Sequence, residues 1–419
     1  MVVAGARGNE ICHQRAPMKI LEVNKFHYRR GGADHHFLDL CELLKKKGED
    51  VAVFSMKDKR NERNQFEKYF VSNIEFGKLD WKFFSRPVRM IYSREAKRKI
   101  ERLIGDFKPD IAHLHLIYHH LSPSILVALN NAKIPTILTI HDWKLICPNY
   151  QLFTQGEPCE RCRGGKYYQC SLHKCVHNSC AQSMTATVEA YIHHAKKYYE
   201  NYIDCLIAPS EFVKNKFIEF GWKAEKIVVL PHFISDRIQV LGSASVAPKE
   251  KNFVYVGRLS AEKGVDRLID FWVQNRISYP LNIYGDGPLF NKIKKQAMKN
   301  SSIFVHGQVD REKVFEKLSD ATAVIIPSAC YETFGLVAIE SWARGVPVVA
   351  SNLGGLEELI KKSGAGVLFD WKSDNIVGAL EKVDDFELRQ KAIAYMREYH
   401  DSGEYFKKIM SIFSGLLSV

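Results

Sequence analysis

The feature that most restricts this chain is an alternation of short apolar strands and amphipathic helices that runs, stops at a polar linker and starts again. Lys19-Ile20-Leu21-Glu22-Val23 reads as a buried strand. A loop, Asn24–Gly32, follows it. Phe37, Leu38, Leu40, Leu43 and Leu44 then recur near a 3.6-residue period, the mark of a helix with one apolar face. Gly48 ends that helix, and Val51–Phe54 gives the next strand. Further strands are predicted at Ile111–Leu116, Thr136–Ile140 and Cys205–Ala208. The small, polar and charged stretch 240–251 breaks the pattern. It restarts with strands at Asn252–Val256, Leu281–Tyr284, Ser302–His306, Ala323–Ile326 and Val346–Ala350, and helices at Gly264–Gln274 and Phe334–Arg344. Glu387–Val419 reads as one or two amphipathic helices.

Strands separated by helices pair in parallel, and the helices cover both faces of the sheet. The expected fold is therefore α/β, with two Rossmann-like domains facing each other across a cleft. The first spans 18–240 and the second 250–395, with 396–419 a terminal helix packing back on the first. Residues 1–17 are expected to be a disordered extension, and Met18 an alternative start. A length of 419 residues suits two or three domains. Ligands of such sheets sit beyond the carboxyl ends of the strands, so the site is sought in the loops that follow them.

No run approaches the about 20 apolar residues of a membrane span, and MVVAGARGNEICHQRAP has no signal-peptide core. The expected location is cytoplasmic, at most peripheral on the inner membrane face. The net charge is +12. Residues 1–235 hold 36 Lys/Arg and 25 Asp/Glu, or +11, and 236–419 hold 24 and 23, or +1. The basic half thus points to an anionic partner. Within 78–102, nine basic residues stand against three acidic ones, interleaved with Trp81, Phe83, Phe84, Met90, Ile91 and Tyr92. That pattern suits a helix lying on anionic lipid, and equally a surface helix with its apolar face packed inward.

The motifs with most chemistry are in the second half. Gly257-Arg258-Leu259-Ser260-Ala261-Glu262-Lys263-Gly264 follows a strand and opens a helix. Arg258 and Lys263 can converge on one anion, with the helix N-terminus adding backbone N–H groups. Gly285-Asp286-Gly287-Pro288 is a second strand-end loop. His306-Gly307 is a third, whose main chain can meet a nucleotide base. Pro327-Ser328 and Glu332-Thr333-Phe334-Gly335 follow another strand, with Glu340 further on among Ala338, Ile339, Trp342 and Ala343. Two carboxylates so placed suit hydroxyl recognition.

As an ordered set these segments, followed by Gly345-Val346-Pro347-Val348-Val349-Ala350, resemble the nucleotide-sugar half of a family 4 glycosyltransferase of the GT-B fold. The resemblance implies a retaining enzyme using nucleoside-diphosphate sugars. Arg258 and Lys263 would bind the donor diphosphate, Glu332 the donor sugar and Glu340 the ribose, with Gly285, His306, Thr333, Phe334 and Gly335 around the donor. The first half fits more loosely. Arg29-Arg30-Gly31-Gly32-Ala33 resembles the family's glycine-rich loop near the diphosphate, and His141-Asp142 its strand-end histidine beside sugar and acceptor. His141, Glu332, Arg258 and Lys263 are thus the expected catalytic residues.

The chain has no Asp-x-Asp, so no metal cofactor is expected in catalysis. Leaving-group charge would fall on Arg258, Lys263 and helix N-termini. Six cysteines (Cys147, Cys159, Cys162, Cys170, Cys175, Cys180) fall within 34 residues. Clustered thiols in a reducing compartment read first as a metal site. Cys159, Cys162, Cys170 and Cys175 are candidates for a structural zinc; free or disulfide-linked thiols are the alternative. The expected acceptor is a glycan or lipid-linked molecule in cell-surface polysaccharide synthesis. The expected donor is a UDP or GDP sugar, and no nucleic acid is expected. A nucleotide-sugar epimerase of the same fold is the competing reading.

Overall fold

The structure is a computed structural model and describes residues 16–74, 85–238, 248, 250–373 and 375–418. Most of the 1–17 extension, the aromatic part of the basic stretch (75–84) and most of the linker (239–247) lie outside the described residues.

Two six-stranded parallel sheets carry the fold. The first is ordered β2-β1-β3-β4-β7-β8 and comprises β1 (Lys19–Val23), β2 (Asp50–Phe54), β3 (Ile111–Leu114), β4 (Thr136–Thr139), β7 (Cys205–Ala208) and β8 (Ile227–Val229). The segment between β4 and β7 carries a short hairpin, β5 (Phe153–Thr154) and β6 (Glu157–Pro158). The second sheet is ordered β11-β10-β9-β12-β13-β14, from β9 (Phe253–Val256), β10 (Leu281–Tyr284), β11 (Ile303–Gly307), β12 (Ala323–Ile326), β13 (Val348–Ser351) and β14 (Gly366–Phe369). The strands are apolar on both faces because helices cover both: Ile20, Leu21, Val23, Val324 and Val348 are fully buried.

Strand order fixes where a ligand can sit. In each sheet the order reverses beside the first strand, between β1 and β3 and between β9 and β12. Crevices open at such points because adjacent connections leave in opposite directions. The loops after β9 and β12 are the two richest in expected site residues.

The end of the chain crosses over. The helix Phe386–Tyr399 packs Ala392 and Met396 on the second unit. After His400, the helix Ser402–Leu417 buries Tyr405, Ile409, Met410 and Phe413 against Ile20, Phe37 and Ile111 of the first. The helix Arg94–Phe107, which begins in the basic stretch and runs past it, packs inward: Ala96, Ile100 and Leu103 are buried. Its apolar face is therefore committed to the core rather than open to lipid. Arg94, Arg98 and Arg102, four residues apart, remain exposed as one stripe.

Candidate active site

The loop after β9 is built to hold cations beside a carboxylate. Ala261–Lys263 forms one tight turn, and Gly264, at φ 68°, starts the helix Val265–Gln274. That turn aims Lys263 at the loop after β12, where its Nζ lies 2.6 Å from Glu332 Oε1. Ser328 Oγ donates to the same oxygen at 2.5 Å. A third of the Lys263 side chain stays open (33%), against 15% for Glu332. Burial alone would lower the lysine pKa, but the carboxylates around it, Glu332 foremost, hold it above its ordinary value. Burial would raise Glu332, and Lys263 with Ser328 hold it below the usual glutamate range. Arg258 is exposed, and its guanidinium donates no hydrogen bond within the described residues.

Gly285 brings the next loop against this one. Its φ is 140°, and a Cβ there would sit 1.9 Å from the Gly257 carbonyl oxygen, so the position admits only glycine. Glu340, on the helix Leu336–Ala343, pairs with Arg311, a residue the motifs did not single out. Burial pushes Glu340 up despite that guanidinium. Arg311 also reaches the other unit, lying 3.1 Å from His35 Nδ1 and 3.8 Å from Asp39 Oδ2.

Three residues expected around the donor make side-chain contacts within the chain. Thr333 Oγ1 is turned to the first unit, donating to the His141 carbonyl at 3.4 Å, while its own carbonyl accepts from Ser210 Oγ at 2.9 Å. The Phe334 ring is buried against His232 and His400. The His306 ring is exposed and stacks on Tyr284, with its Nε2 2.8 Å from Asn282 Oδ1. Gly335, at φ 111°, caps the helix start rather than lying within it.

Across the cleft, Gly31 caps the helix Gly32–Lys46. A Cβ on Gly32 would meet Leu336 Cδ1 at 2.8 Å, so the glycine loop is where the two units touch beside the Glu332 loop. Trp143 Nε1 donates to the Tyr331 carbonyl at 3.0 Å, another tie across it. Half-buried His141 follows β4, and its Nε2 lies 2.8 Å from His115 Nδ1. Burial, with His232 and His113 nearby, holds its pKa well below the histidine norm. Next to it, burial raises Asp142 to about 6 and lowers Lys25 to about 8, each partly offset by the other. Lys25 and Arg30 both lie over the Phe26 ring, at 4.8 and 4.6 Å.

The four cysteines expected to hold zinc all lie within the described residues. No three cysteine sulfurs among the described residues come within 4.8 Å of one another. Cys159 Sγ faces the Arg161 guanidinium at 3.9 Å, whereas the Cys170 and Cys175 thiols pair with each other. Cys162 and Cys170 pack with Tyr167 in a small apolar cluster. Among the described residues, Glu22 on β1 and His113 and His115 on and just after β3 lie close enough together to hold a cation.

Known protein families match both halves of the chain. The profile of Glycosyltransferase Family 4 matches residues 30–237, and that of glycosyl transferases group 1 matches 241–400. A 41.2 kDa protein of the Klebsiella pneumoniae cps region is 30% identical over 184 residues, which is 42% of this chain and 50% of that one. An uncharacterized glycosyltransferase of Methanocaldococcus jannaschii is 28% identical over 400 residues, 94% of this chain and 97% of its own. The solved structure of Anabaena HepE with UDP-glucose superposes with a TM-score of 0.63 at 17% identity, covering 95% of this chain and all of HepE. Such an identity speaks for the fold alone. None of these relatives favours the epimerase reading. With both halves matched in order, the chain belongs to the family 4 glycosyltransferases and has their GT-B fold.

Proposed function

We propose that this glycosyltransferase moves a sugar from a nucleoside diphosphate to a hydroxyl of a glycan or lipid-linked acceptor, with retention of configuration and without a metal ion. The observation that carries the reading is the Lys263–Glu332 pair at the reversal point of the second sheet, with Arg258 exposed in the same strand-end loop as Lys263. A diphosphate placed there meets one fixed ammonium and one free guanidinium. Preorganised cations stabilise charge as it develops on a leaving group. Glu332 then faces the sugar, and Glu340 the ribose. HepE is solved with UDP-glucose, which supports this class of donor.

In the proposed step the acceptor oxygen attacks the anomeric carbon from the side that the diphosphate leaves. The C–O bond to the diphosphate breaks as the new C–O bond forms. The departing phosphate oxygen takes the acceptor proton, so no protein carboxylate need act as nucleophile. The acceptor would lie against the first unit. Lys25 and Arg30 at the cleft, and the Arg94, Arg98 and Arg102 stripe outside it, suit a phosphate-bearing acceptor at an anionic membrane surface. No helix among the described residues is long and apolar enough to cross a membrane. The cps-region relative supports a role in polysaccharide synthesis.

A donor screen tests the reading: UDP and GDP sugars, scored by thermal stabilisation and by release of nucleotide, with the anomeric configuration of the product read by NMR. Stabilisation by one nucleotide class and a retained anomer are expected. No stabilisation by any nucleotide, or an inverted anomer, overturns it.

A further inference from the structure

Beneath the cleft runs a line of polar side chains that the donor site does not account for. β1 and β3 are paired with Glu22 opposite His113. His115 lies two residues on, so it shares the His113 face, one step nearer the carboxyl end of the strand. Glu22, His113 and His115 are all fully buried. Glu22 Oε1 lies 3.0 Å from His113 Nδ1, and Oε2 lies 3.0 Å from His115 Nε2. His113 Nε2 is 2.8 Å from Thr139 Oγ1. His115 Nδ1 is 2.8 Å from His141 Nε2, and the two rings stack. The line thus climbs from mid-sheet to the residue at the cleft.

Hydrogen-bond rules give it a direction. A carboxylate oxygen accepts, so His115 donates from Nε2. A neutral imidazole carries one N–H, so His115 Nδ1 is then an acceptor. His141 must donate to it from Nε2, which leaves the lone pair of His141 on Nδ1. Among the described residues nothing bonds to that atom. Burial, reinforced by neighbouring imidazoles, holds both His115 and His141 well below the histidine norm, so the one-proton count applies to each. A cation at Glu22, His113 and His115 would compete with this arrangement, but every ring nitrogen of the two histidines already has a partner.

We propose that Glu22 and His115 are positioning residues for sugar transfer: the line Glu22–His115–His141 fixes His141 with Nδ1 as the acceptor for a sugar hydroxyl at the cleft. The inference rests on the reading of His141 as a neighbour of the transferred sugar. A ring free to exchange tautomers would present an N–H to that hydroxyl part of the time, and the hydroxyl would then accept rather than donate, in a different orientation.

The test has two arms. Histidine labelled with 15N in the full chain, without ligand, is expected to show His141 as a single Nε2–H tautomer, its signal assigned by its loss in His141→Gln. An Nδ1–H or averaged signal overturns the proposal. His115→Phe keeps a planar ring and removes both nitrogens. It is expected to lower kcat about tenfold or more, the worth of one well-made hydrogen bond, with donor KM within about twofold. Wild-type kcat in that variant also overturns the proposal. If His115→Phe does not fold, the wild-type tautomer decides. That measurement needs no sugar, so failure of the donor assignment and failure of this proposal give different results.

Discussion

Replacing Lys263 with alanine separates what the cation does for the fold from what it does for chemistry. Its Nζ is 2.6 Å from Glu332, with the two side chains 33% and 15% exposed. A pair that open is partly screened. Its loss should cost about 1–2 kcal/mol, above the 0–1 of a surface pair and below the 3–5 of breaking a fully buried one. Glu332 keeps Ser328 Oγ as a partner, which limits the penalty. Catalysis should suffer far more, because a preorganised charge on a leaving group is worth about 10²–10³ in kcat. The assay is the initial rate at saturating donor beside a calorimetric Tm. Lys263→Ala/Glu332→Gln should recover the stability and leave the rate low. The pair also sets a pH dependence. Glu332 is depressed below the ordinary glutamate value of 4.5. Its stabilisation is therefore full above that pH and is lost as pH falls through the depressed value, a loss that Lys263→Ala should show only weakly. A kcat within about threefold of wild type in a folded Lys263→Ala would refute the argument.

Two further outcomes follow from the backbone and from the buried imidazoles. Gly285→Ala forces a Cβ to 1.9 Å from a carbonyl oxygen that cannot swing away, and should cost more than about 2 kcal/mol by calorimetry. Gly378→Ala, in a helix with open space around it, should stabilise by up to about 1 kcal/mol, and equal Tm values for the two would contradict the strain. His36, His115, His141 and His232 all have pKa values lowered by burial from 6.5. The unfolded chain binds protons there that the folded chain refuses, so stability is full above that value and falls as pH drops below it. A Tm that stays flat between pH 7.5 and 5 would show these rings to be protonated in the fold.

Much of the fold was legible because parallel strands covered on both faces are continuous apolar runs. Leu281–Tyr284 and Ala323–Ile326 have the predicted bounds. Ile227–Val229 and Gly366–Phe369 escaped notice because they are edge strands of three and four residues whose side chains are partly exposed. Ile111–Leu116 and Thr136–Ile140 were read too long at one end, where His115, Leu116 and Ile140 leave the ladder to build the cleft. The helix expected from Phe334 starts at Leu336 because Gly335 takes φ 111°. Lys263 and Glu332 were legible because each follows a strand in a short loop. Arg311, His115 and Glu22 carried no local signal.

The sequence by itself determined two α/β sheets, the loops that can hold an anion, and a basic first half, because strand periodicity, glycine placement and charge are local properties of the chain. Only the tertiary structure decided which of those groups meet. It set Thr333 against the His141 carbonyl, Phe334 against His232 and His306 on Tyr284, and it paired Arg311 with Glu340 and Glu22 with His115. The last two pairings join residues 29 and 93 positions apart in the chain, and hydrogen bonds of about 3 Å or less between such residues depend on strand order and register, which no single segment encodes.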